Sequence, residues 1–431
     1  MKAVRATSTV AGPPRSGIRL SGAQRVLLAL LVASIFLNYI DRSNLSLAAP
    51  LVQKEFALSD TALGELFSAF FWTYALLQLC GAAGWLADRY PVGRVLGWGV
   101  FLWSIATLLT GVLSGFAALF AVRLLLGAGE SVAYPCYSRI FATAIPVERR
   151  GLANALIDAG SKVGPALGTL LGGLLLETVG WRMFFVVLGS LSLLWLVPWI
   201  RYGRLPSGPG PEEGKAAASD MGPGTLEILT KRSAWGAFFG HFCGNYVWYF
   251  LLTWLPTYLV RERGFDTAAM VKFTSISLFA IATATVVAGW VSDHLIAGGA
   301  TPTRVRKTVV VGGLSCATVI LPVAVVRDNT AALLLLLLAC LSFGTYASNH
   351  WAITQTLSGP LAAGRWTSLQ NGVGNLAGIV ASWLTGAVAD RTHSFAIAFA
   401  VAGGVALSGA ILWGVVVGPV RQVEWKEDRA G

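Results

Sequence analysis

Twelve long apolar runs constrain this chain more than any other feature. They lie near residues 24–48, 62–86, 93–113, 115–142, 151–177 and 181–201, then near 234–260, 268–293, 307–327, 330–357, 366–389 and 395–419. Each is close to the ~20 residues that a helix needs to cross a bilayer. Within lipid every backbone N–H and C=O must be satisfied inside the protein, so runs of this length predict spanning α-helices. The polar stretch 202–233 separates two sets of six, and its Gly-Pro-Gly-Pro-Glu-Glu-Gly segment at 208–214 reads as a solvated linker. The expected organisation is a disordered N-terminus over 1–22, a six-helix bundle over 23–201, the linker, a second bundle over 234–420 and a tail over 421–431.

Composition agrees. The chain is 55% hydrophobic and only 12% charged, where soluble globular proteins carry about 25% charge. Sixteen tryptophans and 49 glycines suit membrane interfaces and close helix packing. The net charge of +11 sits in short connectors between apolar runs, which makes it a topology signal rather than a nucleic-acid footprint. Lysines and arginines are threefold more abundant on the side that holds the two chain ends, so both ends are expected in the cytoplasm. The basic N-terminus leads into an apolar stretch too long for a signal peptide and lacking a small-residue cleavage site, so the first helix is read as retained. The five cysteines, Cys80, Cys136, Cys243, Cys316 and Cys340, fall inside apolar runs without metal-ligand spacing, and read as small core hydrophobes.

The two sets of helices echo each other. Gly84-Trp-Leu-Ala-Asp88-Arg89 ends the second run, and Gly289-Trp-Val-Ser-Asp293-His294 ends the eighth. Gly173 with Glu177 after the fifth run corresponds to Gly386 with Asp390 after the eleventh. Each is a glycine followed four residues later by an acid. The glycine admits a neighbouring helix, and the acid can cap that neighbour's N-terminus or pair with a base. Four such motifs at matching places predict a duplicated six-helix unit with nested repeats.

Against this background four charges stand out. Asp41 and Arg42 lie inside the first run, Arg123 and Glu130 inside the fourth. A charge at membrane depth costs from ~3 to over 10 kcal/mol, so such residues mark a cavity or a pathway. Arg123 and Glu130 are two helical turns apart and share one face; a buried packing network is the alternative reading. Asp41 and Arg42 diverge by ~100°, which predicts that Arg42 lines the cavity while Asp41, when ionised, pairs with a base on a neighbouring helix. With Asp158 and Lys162 in the fifth run, these helix interiors sum to zero charge. Protonating Asp41 and Glu130 would leave a surplus of two positive charges, matched to a carboxylate that an arginine fork grips in bidentate fashion. Asp158 and Lys162, at i and i+4, either form an internal salt bridge or leave Lys162 to reach a second carboxylate. Gly160, Gly164, Gly168 and Gly172 form a packing stripe on the same helix.

In these residues the chain resembles the major facilitator superfamily over roughly 20–420: an all-α membrane protein with twelve transmembrane helices in two pseudo-symmetric six-helix bundles. Gly84…Asp88-Arg89…Gly93-Arg94 looks like its signature loop, with one extra residue at Pro91-Val92. In the second copy His294 replaces the expected arginine, and the basic cluster is delayed to Arg304-Val305-Arg306-Lys307. The resemblance implies that Gly84, Asp88, Arg89, Arg94 and Asp293 latch the cytoplasmic side as gating residues. Asn38-Tyr39-Ile40-Asp41-Arg42-Ser43 and Arg123-x6-Glu130 look like the anion:cation symporter family, which includes transporters for galactonate, hexuronates and glucarate and carriers such as sialin. That likeness implies proton coupling at Asp41 and Glu130 and anion binding at Arg42 and Arg123. Further family positions fall on Tyr39, Tyr74, His241, Ser348, Trp351 and Asn371. Two departures are notable: Ser161 and His241 stand where sugar-acid carriers tend to have amides, and Lys162 is an added base.

The expected substrate contacts are therefore Arg42, Arg123, Tyr39, Tyr74, Ser161, Lys162, His241, Ser348, His350, Trp351 and Asn371. Hydroxyl-rich ligands need several such polar partners, although a lone histidine or tryptophan also serves simply as packing. No phosphate loop, H-E-x-x-H, Gly-x-Ser-x-Gly or Cys/His metal cluster is present, so neither enzymatic activity nor a cofactor is expected. The sequence reading is proton-driven import of an organic anion, a hexonate, hexuronate or aldarate, by a monomer in the bacterial inner membrane. An anion exchanger using the same arginines is the alternative, and a solute sensor that does not transport is the alternative from another class.

Overall fold

The structure, a computed structural model, describes residues 20–145, 150–203 and 223–425. Almost all of the expected disordered terminus, residues 204–222 of the linker and 426–431 of the tail lie outside the described residues. The described chain is helical, with no strand. The elements of the first half are α1 (Gly22–Phe56), α2 (Asp60–Leu79), α3 (Ala82–Arg89), α4 (Val92–Val112), α5 (Phe116–Ser131), α6 (Ala133–Ala144), α7 (Arg150–Leu194) and α8 (Leu196–Tyr202). The second half contributes α9 (Thr225–Leu229), α10 (Arg232–Arg261), α11 (Thr267–Ala297), α12 (Pro302–Ala317), α13 (Asn329–Thr392) and α14 (Ala396–Ile411).

Two of these elements hold two crossings each. A straight helix of 45 residues such as α7 would reach ~68 Å, twice a bilayer. Gly180, at φ 76°, and Gly359, at φ 61°, take the left-handed backbone region and reverse α7 and α13; a side chain would be strained there. Ten helices among the described residues are long and apolar enough to span. One of them, Leu156–Tyr202, is the run that Gly180 divides. The remaining crossing is α10, thirty residues long but too polar to register. It buries His241, Tyr246, Tyr249, Thr253 and Thr257 against protein rather than lipid, so hydropathy understates it. Twelve crossings result among the described residues. Trp72, Leu76, Leu171, Leu174, Val286 and Leu334 are left exposed as parts of an apolar belt, which is stable facing lipid and not facing water.

Several helix bounds differ from the sequence expectation. The first crossing continues through Pro50 to Phe56. The second breaks at Gly81, φ 76°, before the motif that begins at Gly84. The fourth breaks at Val132. Pro135 lacks the N–H that would close on the Ser131 carbonyl, and Gln78 Nε2 donates to that carbonyl instead, at 3.4 Å. The ninth crossing ends its α-helix at Ala317 and finishes in two 3₁₀ turns.

The predicted internal symmetry has a packing basis. Gly386 of α13 lies against the Asp60 backbone at the start of α2, and Gly173 of α7 lies against Val271 of α11, each without room for a Cβ. Asp390 accepts a 2.8 Å bond from Thr61 Oγ1 in the first turn of α2. This is the expected acid at a neighbour's N-terminus, whereas its counterpart Glu177 is exposed. The glycine stripe packs on the first helix: Gly160 on Ile35, Gly164 on Phe36 and Tyr39, Gly168 on Ile40.

Candidate functional site

Arg42 is the centre of the site. Its guanidinium is surrounded by aromatic rings, 4.6 Å from the centroids of Tyr39 and Tyr74 and 5.1 Å from that of Phe70. Tyr39 precedes it by nearly one turn on α1. Phe70 and Tyr74 are one turn apart on α2 and stack at 5.3 Å. Arg42 Nε donates to Glu130 Oε2 at 2.8 Å. Both side chains are buried, at 3% and 0% exposure, so the pair is desolvated and each charge depends on the other. Yet Arg42 Nη2 and Glu130 Oε1 have no hydrogen-bond partner. The arginine fork is half used.

Arg123 occupies the same face of α5 as Glu130. Its Nε donates to the Leu66 carbonyl at 3.3 Å and its guanidinium lies 5.4 Å from the Phe70 ring. Phe70 thus contacts both guanidiniums. Asp41 departs from expectation. It does not pair with a base: Oδ1 accepts from Asn44 Nδ2 at 3.0 Å, and the buried Oδ2 has no partner. The reason is local. Asn44 is three residues along the same helix, while Arg42 is turned toward Glu130.

The second half supplies neutral groups. His241 on α10 stacks on His350 of α13 at 4.9 Å, and Trp351 lies 4.8 Å from the His241 ring. Tyr346 continues the stack 5.0 Å from His350. Ser348 Oγ donates to the Thr345 carbonyl and accepts from Asn349. Asn371 Nδ2 donates to Gln78 Oε1 at 3.1 Å across the halves. Ser161 is buried and donates to the Asp158 carbonyl on its own helix. The Asp158–Lys162 bridge is not formed. Asp158 is exposed, and Lys162 Nζ lies 5.6 Å from the Trp248 ring instead.

The gating residues are apart from this cluster. Gly84 has open space beside it, and Arg89, Arg94 and Asp293 are exposed; the Asp88 side chain lies outside the described residues. The opposite ends of the helices are tied together. Arg261 of α10 bonds Asp60 of α2, Gln53 donates to the same carboxylate at 2.6 Å, and Thr61 bonds Asp390. Deeper along the same seam, Phe67 packs on Trp254 and Phe71 on Tyr249. Sequence reasoning misses Arg261, Asp60, Gln78 and Phe70. An acid at the start of one helix and a base at the end of another, 201 residues away, carry no local signal of pairing.

Known proteins resemble this chain over nearly its whole length. Residues 31–382 match the Major Facilitator Superfamily. "Uncharacterized transporter YybO" of Bacillus subtilis is 31% identical, covering 92% of this chain and 94% of that protein. "Probable galactarate/D-glucarate transporter GudP" of the same organism is 30% identical over 93% of each. Among solved structures, a bacterial homolog of the human lysosomal transporter Spinster, captured in an inward-facing conformation, superposes with a TM-score of 0.72 at 18% identity, over 93% of this chain and 95% of that one. Twelve helices in two repeated halves, and a family match across most of both, place the chain in the Major Facilitator Superfamily as a membrane transporter rather than an enzyme.

Proposed function

We propose that this protein imports an organic anion, a sugar acid such as a hexonate, hexuronate or aldarate, together with protons, across a bacterial inner membrane. In this reading both chain ends are cytoplasmic, 202–233 is a cytoplasmic linker, and the single chain suffices because the cavity lies between its own halves. The observation that carries it is the half-used Arg42 fork, bonded to Glu130 through Nε and unpartnered at Nη2. A carboxylate that fills the fork competes with Glu130. Once displaced, Glu130 is a buried anion without a counter-charge, and taking up a proton relieves that cost. Substrate and proton then bind together. The tied ends at Asp60, Arg261 and Asp390 and the exposed gating residues fit a carrier open toward the cytoplasm. The resemblance to a galactarate/glucarate transporter supports the sugar-acid class.

The test is uptake into proteoliposomes from a panel of sugar acids, with and without an inward proton gradient. Accumulation of one acid that a protonophore abolishes is the expected result. Uptake only into vesicles preloaded with another anion would make the protein an exchanger and reduce Glu130 to a structural partner of Arg42.

A further inference from the structure

Lys162 is a third cation near the middle of the bundle, and the Arg42 mechanism does not use it. Among the described residues it has no ion-pair partner, and its i−4 neighbour Asp158 is turned outward. It leaves the glycine stripe that packs α7 on α1 and points to the second half, where its Nζ meets Trp248 at 5.6 Å. Trp248 is two turns along α10 from His241 and so shares its face, and it stacks on Phe343 at 6.3 Å, from which Tyr346 leads at 5.5 Å to the His350 ring. Both histidine rings are buried, and each keeps one nitrogen without a partner, Nδ1 of His241 and Nε2 of His350.

The hydrogen bonds that do exist assign the tautomers. His350 Nδ1 faces the Ala347 carbonyl at 3.1 Å, so Nδ1 carries the proton and Nε2 is a bare acceptor. His241 Nε2 faces Asn245 Nδ2 at 3.4 Å, so Nε2 accepts and Nδ1–H is a free donor. Lys162 and His241 therefore offer donors to an anion, while His350 offers an acceptor that an anion does not want and a hydroxyl does. The partners of Lys162 are distinct from those of Arg42. The two centres are nonetheless neighbours: Trp248 meets Lys162, and the next residue on α10, Tyr249, packs on Phe71 at 4.4 Å, whose ring meets Phe70 beside Arg42. Gly164, half a turn beyond Lys162, packs on Tyr39 beneath the Arg42 guanidinium.

We propose that Lys162, His241 and His350 form a second anion subsite that takes the far carboxylate and adjacent α-hydroxyl of a two-ended sugar acid, whose first carboxylate binds at Arg42. The inference rests on the sugar-acid reading above and narrows it to aldarates. The experiment measures binding to the full-length purified protein by calorimetry, with three probes of equal chain length. Galactarate has two α-hydroxy carboxylates, galactonate has one, and adipate has two carboxylates without hydroxyls. The wild type should bind galactarate at least tenfold tighter than galactonate. Lys162→Gln should bring galactarate down to the galactonate level with a much smaller effect on galactonate, while Lys162→Arg keeps most of the preference and shows that the helix still folds. Equal affinity for galactarate and galactonate in the wild type would overturn the subsite without touching the sugar-acid reading. So would a Lys162→Gln protein that weakens both probes equally or retains the preference. Lys162-dependent binding of adipate alone would keep the anion subsite and refute the sugar-acid reading, and binding of no probe would refute both.

Discussion

Replacing Glu130 with glutamine should tighten, not weaken, the binding of the transported anion at neutral pH. In the structure Glu130 Oε2 holds Arg42 Nε at 2.8 Å with both groups buried, so it competes with any carboxylate that approaches the fork. Breaking a buried ion pair costs ~3–5 kcal/mol, while a hydrogen bond from the Arg42 charge to a neutral acceptor contributes ~1.5–3 kcal/mol. Glutamine keeps an acceptor in the same place but removes the second charge, so the competition falls by ~1.5–2 kcal/mol, which is at least tenfold in affinity. The variant should also lose the steepening of anion binding with falling pH, because the group whose protonation frees Arg42 is gone. Calorimetric titration of the transported acid at pH 5.5 and 7.5 measures both effects. In proteoliposomes the same variant should still carry out counterflow but should no longer accumulate substrate against a gradient. Weaker binding at both pH values would refute the reasoning, since it would mean that Glu130 organises the anion site rather than competing for it.

Removing the cation instead should be costly. Arg42→Ala leaves Glu130 buried without its counter-charge, and breaking such a pair costs ~3–5 kcal/mol, which a thermal-melting series at pH 7 would show as a large drop that shrinks at low pH. Gly127→Val should destabilise by ~1–3 kcal/mol, because a Cβ there meets the Phe70 carbonyl and Thr73 of α2; melting of the purified variant checks it. Asp60→Ala removes the acceptor that Arg261 and Gln53 share at the tied ends. It should shift the balance away from this conformation by ~1–3 kcal/mol, read as a changed inter-half distance between spin labels placed on those ends, with Gln53→Ala giving a smaller shift.

The parts legible in the sequence were those that lipid makes expensive. Asp41, Arg42, Arg123 and Glu130 are conspicuous because a charge in an apolar run is rare, and the structure buries all four. Tyr39 and Tyr74 came from the family resemblance, and both lie against Arg42. Phe70 belongs to the same cluster but is one phenylalanine among 21, and only its contact with two guanidiniums distinguishes it. The Asp158–Lys162 bridge failed for a physical reason. An i,i+4 pair contributes only ~0.2–0.5 kcal/mol, while an ammonium over tryptophan gains ~0.5–2 kcal/mol with increasing burial, so the half-buried Lys162 goes to Trp248 and Asp158 goes outward. Asp41 likewise bonds Asn44 on its own helix in place of a distant base. Helix breaks at Gly81 and Val132 were hidden inside uniform apolar runs, where hydropathy carries no information about backbone direction.

The division of chemistry between the halves bears on how binding drives the proposed cycle. Asp41, Arg42, Arg123, Glu130 and Lys162 all belong to the first half, while the second half faces them with His241, Asn245, Ser348, His350 and Asn371. In the proposed cycle an anion is held first by one half, whose charges it neutralises. Its hydroxyls find acceptors and donors only as the neutral half comes up against it. Each polar group left unmatched in a closed site costs ~1–3 kcal/mol. A carrier that closed with the anion site filled but the hydroxyl partners unmatched would meet that cost several times over. A carrier that closed empty would instead return Arg42 to Glu130, the pair seen here. The two states with low cost are the fully loaded one and the empty, internally paired one, which is the condition for coupled transport without leak. On that proposal, selectivity for the hydroxyl pattern resides in the second half and selectivity for charge in the first. Substitutions at His350 or Asn371 should change which acids are carried, whereas substitutions at Glu130 should change whether carrying them moves a proton.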